Sequence, residues 1–337
     1  MPRIVPVFIM NRGCRNRCIF CNEAITTGGQ PPVASAADID RAVETALSVR
    51  KGKDMLLQIA FYGGNFTGLP LAEQKALLQW AAPHVSSGRV FGIRISTRPD
   101  DVSPPILEAL KEGHVRTVEI GAQSLVDRVL LAARRGHTAE QVARAVGILK
   151  AAGFEVGLHL MAGLPGDSEE GFAATVTAAV ALRPDSVRIH PTLVLRDTPL
   201  ANAYRQGLYR PLTLEAAVRI CKDARRNFME AGIPVIRMGL QTTPAMEVSG
   251  AVVAGPYHPA FGALVEAAIL YEKATEALER LDARGCRVVF HLPRGQESAF
   301  RGQRNANVRL LTERFFLTGL RVVPADAFGC TIESSRS

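Results

Sequence analysis

Short apolar, β-branched runs alternate along the chain with longer stretches in which apolar residues recur at helical spacing. The strand pattern falls at residues 4–9, 56–61, 92–96, 117–120, 155–160, 186–190 and 235–238. Between these runs the spacing predicts helices over 36–48, 71–80, 104–112, 139–152, 168–182 and 214–231, several of them stopped by Gly113, Gly153, Pro184 or Gly232. Regular βα alternation argues for a parallel sheet backed by helices. The predicted fold is therefore α/β: a partial (β/α)6-type TIM barrel of about six units over residues 1–240. After Leu240 a Gly-, Pro- and Thr-rich loop runs to Pro259. A long amphipathic helix to about Asp282 follows, with Phe261, Leu264, Val265, Ala268, Ile269 and Leu278 as a core-facing stripe. Together they make a segment at 241–284. The tail, 285–337, is expected to be a small α/β appendage: strand 287–292, polar loop 293–306, helix 307–316 and strand 320–324.

Composition narrows the class. In a chain of 337 residues, 47% hydrophobic and 21% charged, there is enough apolar surface for a large core, which excludes a disordered or fibrous protein. No apolar stretch approaches the roughly 18 residues a membrane span needs. The apolar start, residues 1–10, leads straight into cysteines without a small-residue cleavage site, so it reads as a strand rather than a leader. The net charge of +8 favours acidic partners without naming one, and 33 of the 40 basic residues are arginine. Residues 285–337 hold eight arginines (287, 294, 301, 304, 309, 314, 321 and 336) against four acids.

The cysteines change the picture most. Cys14, Cys18 and Cys21 stand at spacings of four and three, whereas Cys221, Cys286 and Cys330 are isolated. Six in a chain this long are too few for a disulfide scaffold and point to a ligand set in a reducing compartment, hence a cytoplasmic protein. Three soft ligands fit a four-iron cluster whose fourth iron is left open to a small chelating molecule. Zinc is the competing reading, although position 22 is Asn and no His precedes His84.

The Cys14, Cys18, Cys21 pattern with Phe20 before its last cysteine resembles the radical S-adenosylmethionine superfamily. Tyr62-Gly63-Gly64-Asn65-Phe66-Thr67-Gly68 is similar to that superfamily's GG segment after the second strand. Ser96-Thr97-Arg98-Pro99-Asp100 resembles its third-strand segment, and Glu119 to Ser124 with Arg135-Gly136-His137-Thr138 the polar positions that follow. Leu160-Met161-Ala162-Gly163-Leu164-Pro165-Gly166 completes the series, and the wording is closest to the Elp3-like bacterial branch. The resemblance implies a [4Fe-4S] cluster on Cys14, Cys18 and Cys21. It also implies S-adenosylmethionine cradled by Phe20, Gly63, Gly64, Asn65, Thr67, Ser96, Arg98, Gln123, Arg135, Met161 and Leu164. The implied chemistry is cleavage of that cosubstrate to a 5′-deoxyadenosyl radical, directed at a tRNA wobble uridine, with flavodoxin or ferredoxin as electron donor. Acetyl-CoA chemistry is not expected, because the Elongator catalytic subunit has wider cysteine spacing and a further acetyltransferase domain. Haem synthesis is disfavoured as well: coproporphyrinogen oxidases usually add a cysteine where this chain has Asn22 and Glu23.

Several residues carry chemistry of their own. Residues without Cβ at 63 and 64 let backbone approach a ligand closely. Arg135 can fork onto a carboxylate, and Gln123 can both donate and accept. Tyr257 and His258 are candidates for hydrogen-atom relay or acid–base work, with loop packing the favoured reading. His159 and His190 fall within or at the end of predicted strands on the expected barrel interior, where His159 suits a satisfied core residue and a substrate contact equally. Arg294, Arg301 and Arg304 flank a loop with Gly295 and Gly302 and suit RNA phosphates, or equally a solvated face. The other functions to weigh are radical chemistry on a small metabolite or tetrapyrrole, and a cluster-bearing RNA-binding protein without turnover.

Overall fold

A computed structural model describes residues 2–29, 32–49 and 56–333. The chain forms two compact units, Met1–Thr213 with Ala224–Tyr257, and Leu214–Asp223 with His258–Ser337.

The first unit is built on the strands β1 (Arg3–Phe8), β2 (Leu57–Tyr62), β3 (Gly92–Thr97), β4 (Val115–Gln123), β5 (Glu155–Ala162), β6 (Ser186–Pro191), β7 (Val194–Leu195), β8 (Val235–Met238) and β9 (Val252–Ala254). Seven of them form one sheet in the order β1-β2-β3-β4-β5-β6-β8. Every neighbouring pair in it is parallel. Seven strands with six connections match the predicted partial barrel. Burial on both faces explains the legibility of β2: Leu57, Ile59, Ala60 and Phe61 are all inaccessible, so the run is apolar apart from Gln58 rather than alternating. The helices are α1 (Glu23–Thr26), α2 (Ala36–Ser48), α3 (Leu71–Ser86), α4 (Pro104–Glu112), α5 (Asp127–Ala132), α6 (Ala139–Ala151), α7 (Glu169–Ala181), α8 (Pro199–Arg205), α9 (Leu214–Glu230), whose residues 214–223 are counted with the second unit, and α10 (Pro244–Glu247). Their starts follow capping chemistry. Ser35 with Asp38 and Thr138 with Gln141 form capping boxes, and Ser168 accepts from the Gly171 amide. The prediction ends α3 at Trp80, ahead of Pro83. The helix instead carries Pro83 and continues, because Ala81 and His84 beyond Trp80 are buried and tertiary packing outweighs the lost hydrogen bond.

The sheet is curled. A flat sheet would put β2 and β6 four strand spacings apart, about 19 Å. Arg188 Nη2 on β6 nevertheless donates to the Tyr62 hydroxyl on β2 at 2.7 Å, so the inner faces of these strands converge. Beyond β8, the expected loop to Pro259 contains α10, capped by Thr243, and β9, which pairs antiparallel with β7. Both are too short to show a period.

The second unit contains α11 (Phe261–Arg280), β10 (Arg287–Pro293), α12 (Glu297–Arg301), α13 (Ala306–Phe315), β11 (Gly319–Ala325) and β12 (Gly329–Ile332). Its sheet has the order β11-β10-β12, with β10 and β11 parallel as the βαβ prediction requires and β12 antiparallel. Leu270, Ala274, Ala277 and Leu278 of α11 share a core with Phe290, Phe300, Leu311 and Phe315. The expected middle segment at 241–284 therefore does not stand apart: residues 241–257 belong to the first unit and α11 to the second. Part of the expected polar loop is helical, since buried Phe300 anchors the single turn of α12. Arg301 pairs with Glu297 at 2.9 Å, whereas no acid meets exposed Arg294 or Arg304 among the described residues. Arg336 lies outside the described residues. Among the described residues no helix is long and apolar enough to cross a membrane.

Candidate functional site

The three cysteines lie in the loop between β1 and α1, and that loop is moulded backbone-to-backbone onto the Gly63-Gly64 segment. The Asn11 amide donates to the Gly63 carbonyl at 2.6 Å and the Asn65 amide to the Arg12 carbonyl at 3.0 Å. A Cβ on Gly64 would stand 2.7 Å from the Arg12 carbonyl oxygen, and one on Gly13, at φ +75°, 2.0 Å from the Asn65 carbonyl oxygen. The close approach that the glycines permit is thus, first of all, to the cysteine loop itself.

Asn65 ties the loop to the strand ends. Its Nδ2 donates to the Gly13 carbonyl at 2.9 Å and to the Asp101 carboxylate at 2.6 Å. Its Oδ1 accepts from Thr97 Oγ1 at 2.9 Å and from the Arg98 amide at 3.0 Å. Thr67 joins the same knot through the Thr97 hydroxyl. The side chains of Asn65 and Thr67 are therefore occupied by protein groups and act on the site by holding the loop. Arg15 closes the knot from outside by pairing with Asp101 at 2.7 Å.

A cavity of about 1080 Å³ opens beside the loop, and Cys14, Cys18, Gly63, Ser96, Arg98 and Gln123 are among the residues lining it. Arg135, also on its wall, donates from Nη1 to Cys18 Sγ at 2.7 Å and from Nη2 to the Gly121 carbonyl. Arg98 grips Asp100 through Nε and Nη2 at 3.0 and 2.8 Å. Gln123 owes its direction to a register shift between β4 and β5 after Ile120, and its own φ is +61°. Phe20, Met161 and Leu164 come together in an apolar cluster with Val129 and Ala133. Tyr257 does not reach the cavity wall. It packs on Ile25, Leu193 and Met246, with its hydroxyl 3.3 Å from Thr242 Oγ1, as loop packing predicts. His258 accepts from the Ala260 amide through Nδ1 and lies in the second unit.

Two observations test whether these residues fit the cluster and cosubstrate that the motifs imply. The guanidinium of Arg135 already engages a cysteine sulfur. In addition, Gln123 Oε1, Arg98 Nη1 and Arg135 Nε are buried and have no partner, as a polar ligand in the cavity would require. Loss of hydration, then the Glu23 carboxylate and the neighbouring sulfurs, raise the Cys14 thiol to about 11 and push Cys21 upward too. Such crowding favours a site in which bound iron supplies positive charge. Among the described residues no three His, Cys, Asp or Glu groups gather around a single-ion position. The residues fit a three-thiolate cluster with a polar cosubstrate beside it.

Residues with no assigned role in the sequence reading also line the cavity. Glu23 accepts from the Asn11 amide, while Tyr62, Glu119, Arg188 and Arg237 form a polar wall further along the strands. The signal for part of this wall is in the sequence: Thr117, Glu119, Gly121 and Gln123 on β4, and Ser186, Arg188 and His190 on β6, alternate with apolar residues.

Three thiols on a loop after the first strand of a curled parallel sheet, beside a cavity with unpaired polar atoms, define a cluster-dependent barrel enzyme. The Radical SAM superfamily model matches residues 8–179 and the Radical_SAM C-terminal domain model residues 184–270; the chain belongs to the radical SAM superfamily. It is 34% identical over 141 residues to a tRNA uridine(34) acetyltransferase of Methanocaldococcus infernus, which covers 41% of this chain and 26% of that protein. The chain thus spans about a quarter of the length of that relative. Protein YhcC of Escherichia coli is 27% identical over 205 residues, covering 60% of this chain and 64% of YhcC. The solved structure of M. infernus Elp3 with an N-terminal deletion shares the fold, with a TM-score of 0.61 at 22% identity over 84% of this chain and 63% of that one. Within the superfamily the chain is similar to the Elp3 branch.

Proposed function

We propose that this radical SAM enzyme modifies a base of a folded RNA, with the wobble uridine of tRNA as its substrate. The observation that carries this reading is the match, over 141 residues, to an enzyme named for uridine 34 of tRNA. A cavity of about 1080 Å³ has room for a nucleoside beside a cosubstrate. When bound, the cluster and S-adenosylmethionine supply a one-electron source of a hydrogen-abstracting radical, fed by a flavodoxin or ferredoxin in the cytoplasm. Cys14, Cys18 and Cys21 would hold the cluster, while Gln123, Arg98 and Arg135 offer their free polar atoms to the cosubstrate. The Phe20, Met161 and Leu164 cluster keeps water from that side of the loop.

The arginine-rich residues 285–337 would hold RNA phosphates through Arg294 and Arg304, with Arg301 released from Glu297 on binding. A base would enter the barrel unstacked. The test is tRNA affinity at two salt concentrations for the wild type and an Arg294, Arg301, Arg304 triple alanine variant. Each lost phosphate contact should flatten the plot of log affinity against log salt by about 0.7 to 0.9. An unchanged slope removes the phosphate role, and unchanged tRNA nucleosides in cells lacking the gene remove RNA as substrate.

A further inference from the structure

The inner face of the sheet carries more positive charge than its own carboxylates balance. Arg94 on β3, Arg188 on β6 and Arg237 on β8 face one buried acid, Glu119 on β4. Glu119 accepts from Arg94 Nη1 and, at 2.9 Å, from Arg188 Nε. Arg94 Nε also donates to Gln58 Oε1 at 2.9 Å and Arg188 Nη2 to the Tyr62 hydroxyl at 2.7 Å, so each of these two arginines has Glu119 and a neutral partner. Arg237 differs. Among the described residues no carboxylate pairs with it, and Arg188 is its register partner on the adjacent strand. Burial and the Arg188 guanidinium both lower its pKa. Like charges directly opposite each other on neighbouring strands destabilise a sheet, and Arg237, half-buried, has no counter-ion to offset this.

The histidines of the same wall add a directed group. His159 is the register partner of Arg188, and its Nε2 lies 3.0 Å from His190 Nδ1. His190 is only 7% exposed and its Nε2 has no partner. Burial holds both rings neutral, so the pair neither adds to nor cancels the excess charge. Arg188, Arg237, His159 and His190 all line the cavity described above, on its strand wall rather than on the cysteine loop.

We propose that Arg237 and Arg188, with the open Nε2 of His190, form a subsite for the carboxylate or phosphate of a small acidic co-substrate. An oxyanion there would neutralise the Arg237 charge, separate the two guanidinium groups electrostatically and give His190 its missing partner. A small molecule is favoured over the backbone of a nucleic acid because the subsite lies at mid-strand inside the curl, where a phosphate could not enter without its flanking nucleotides. The subsite does not depend on RNA being the substrate.

The test uses the full chain, reconstituted anaerobically, with inorganic phosphate and acetate as probes at constant ionic strength. The thermal unfolding midpoint of the wild type should rise with either probe. Arg237→Gln should raise the half-saturating concentration at least tenfold, while Arg144→Gln at an exposed position of α6 should respond as the wild type does. Without either probe, Arg237→Gln should unfold at the same or a higher temperature, because it removes an unbalanced charge. A clear fall would show that Arg237 already has a structural partner and would overturn the assignment. So would the absence of any response, or an equal response in the wild type and Arg237→Gln. A third arm adds tRNA: competition with phosphate at Arg237 would make the RNA backbone the anion's source and defeat the small-acid assignment, and independence supports it.

Discussion

Asn65 offers the sharpest test of how the barrel holds its cysteine loop. The side chain is 1% exposed and makes four hydrogen bonds, to Gly13, Asp101, Thr97 and Arg98, which join the loop after β1 to the end of β3. Asn65→Ala removes all four and strands their buried partners. Neutral bonds contribute about 1 kcal/mol each and the bond to the Asp101 carboxylate about 1.5–3, so with partial relaxation the expected loss is about 3–5 kcal/mol. Urea unfolding followed by Trp80 fluorescence measures it, since this single tryptophan sits in α3 of the first unit. The iron content of anaerobically reconstituted protein should fall in parallel.

Asn65→Asp separates the knot from mere packing. It keeps both accepting bonds but turns a carboxylate oxygen toward the Gly13 carbonyl and Asp101. Burial and the second carboxylate would raise the new group's folded-state pKa above its unfolded value of about 3.9. The folded state then binds the proton more tightly, so the deficit should shrink as pH falls from 8 toward 5 and widen as pH rises. A loss below about 1 kcal/mol for the alanine variant, or a deficit in the aspartate variant that ignores pH, would refute the reasoning.

Single alanine substitutions at Cys14, Cys18 and Cys21 should each abolish the cluster's absorbance after anaerobic reconstitution, while substitutions at Cys221, Cys286 and Cys330 leave about four irons per chain; stoichiometric zinc without iron would contradict this. Glu119→Gln should cost about 3–5 kcal/mol in urea unfolding, because buried Arg94 and half-buried Arg188 lose their shared counter-charge, and a neutral outcome would show that water or another group braces them. Acid should destabilise the first unit through its buried histidines. The folded-state value of His159 is about 3 against about 6.5 unfolded, so the unfolded chain takes up more protons and stability is lost as pH falls below about 6.5. His159→Gln should flatten the decline in unfolding midpoint between pH 6.5 and 4.5; an identical decline would assign it to other groups.

The strands were legible because a parallel strand buried on both faces is apolar nearly along its length, as β2 is apart from Gln58, or keeps an apolar outer face, as Val187 and Ile189 do on β6, and the helices because their caps and breakers are local. The hidden elements share a different trait. Single-turn α10 and α12 and the short strands β9 and β12 have no room for a period, and each is held by contacts made elsewhere, as Phe300 holds α12. The site divides in the same way. Cys14, Cys18 and Cys21 are neighbours in sequence, so their spacing alone declares a ligand set. The Asn65 knot joins positions 13, 65, 97, 98 and 101, and nothing local in those residues says that they meet.

Arg188 and Arg237 make the same point from the side of charge. Each is an ordinary arginine in an arginine-rich chain, and 48 positions lie between them. Only the strand order, which skips β7 to set β6 against β8, makes them register partners. Sequence periodicity could have placed Arg188 on the inner face, because Ser186, Arg188 and His190 alternate with Val187 and Ile189. It could not have supplied the second arginine, and the case for an anion rests on the pair: Glu119 accepts from Arg188 as well as Arg94, whereas no carboxylate among the described residues pairs with Arg237.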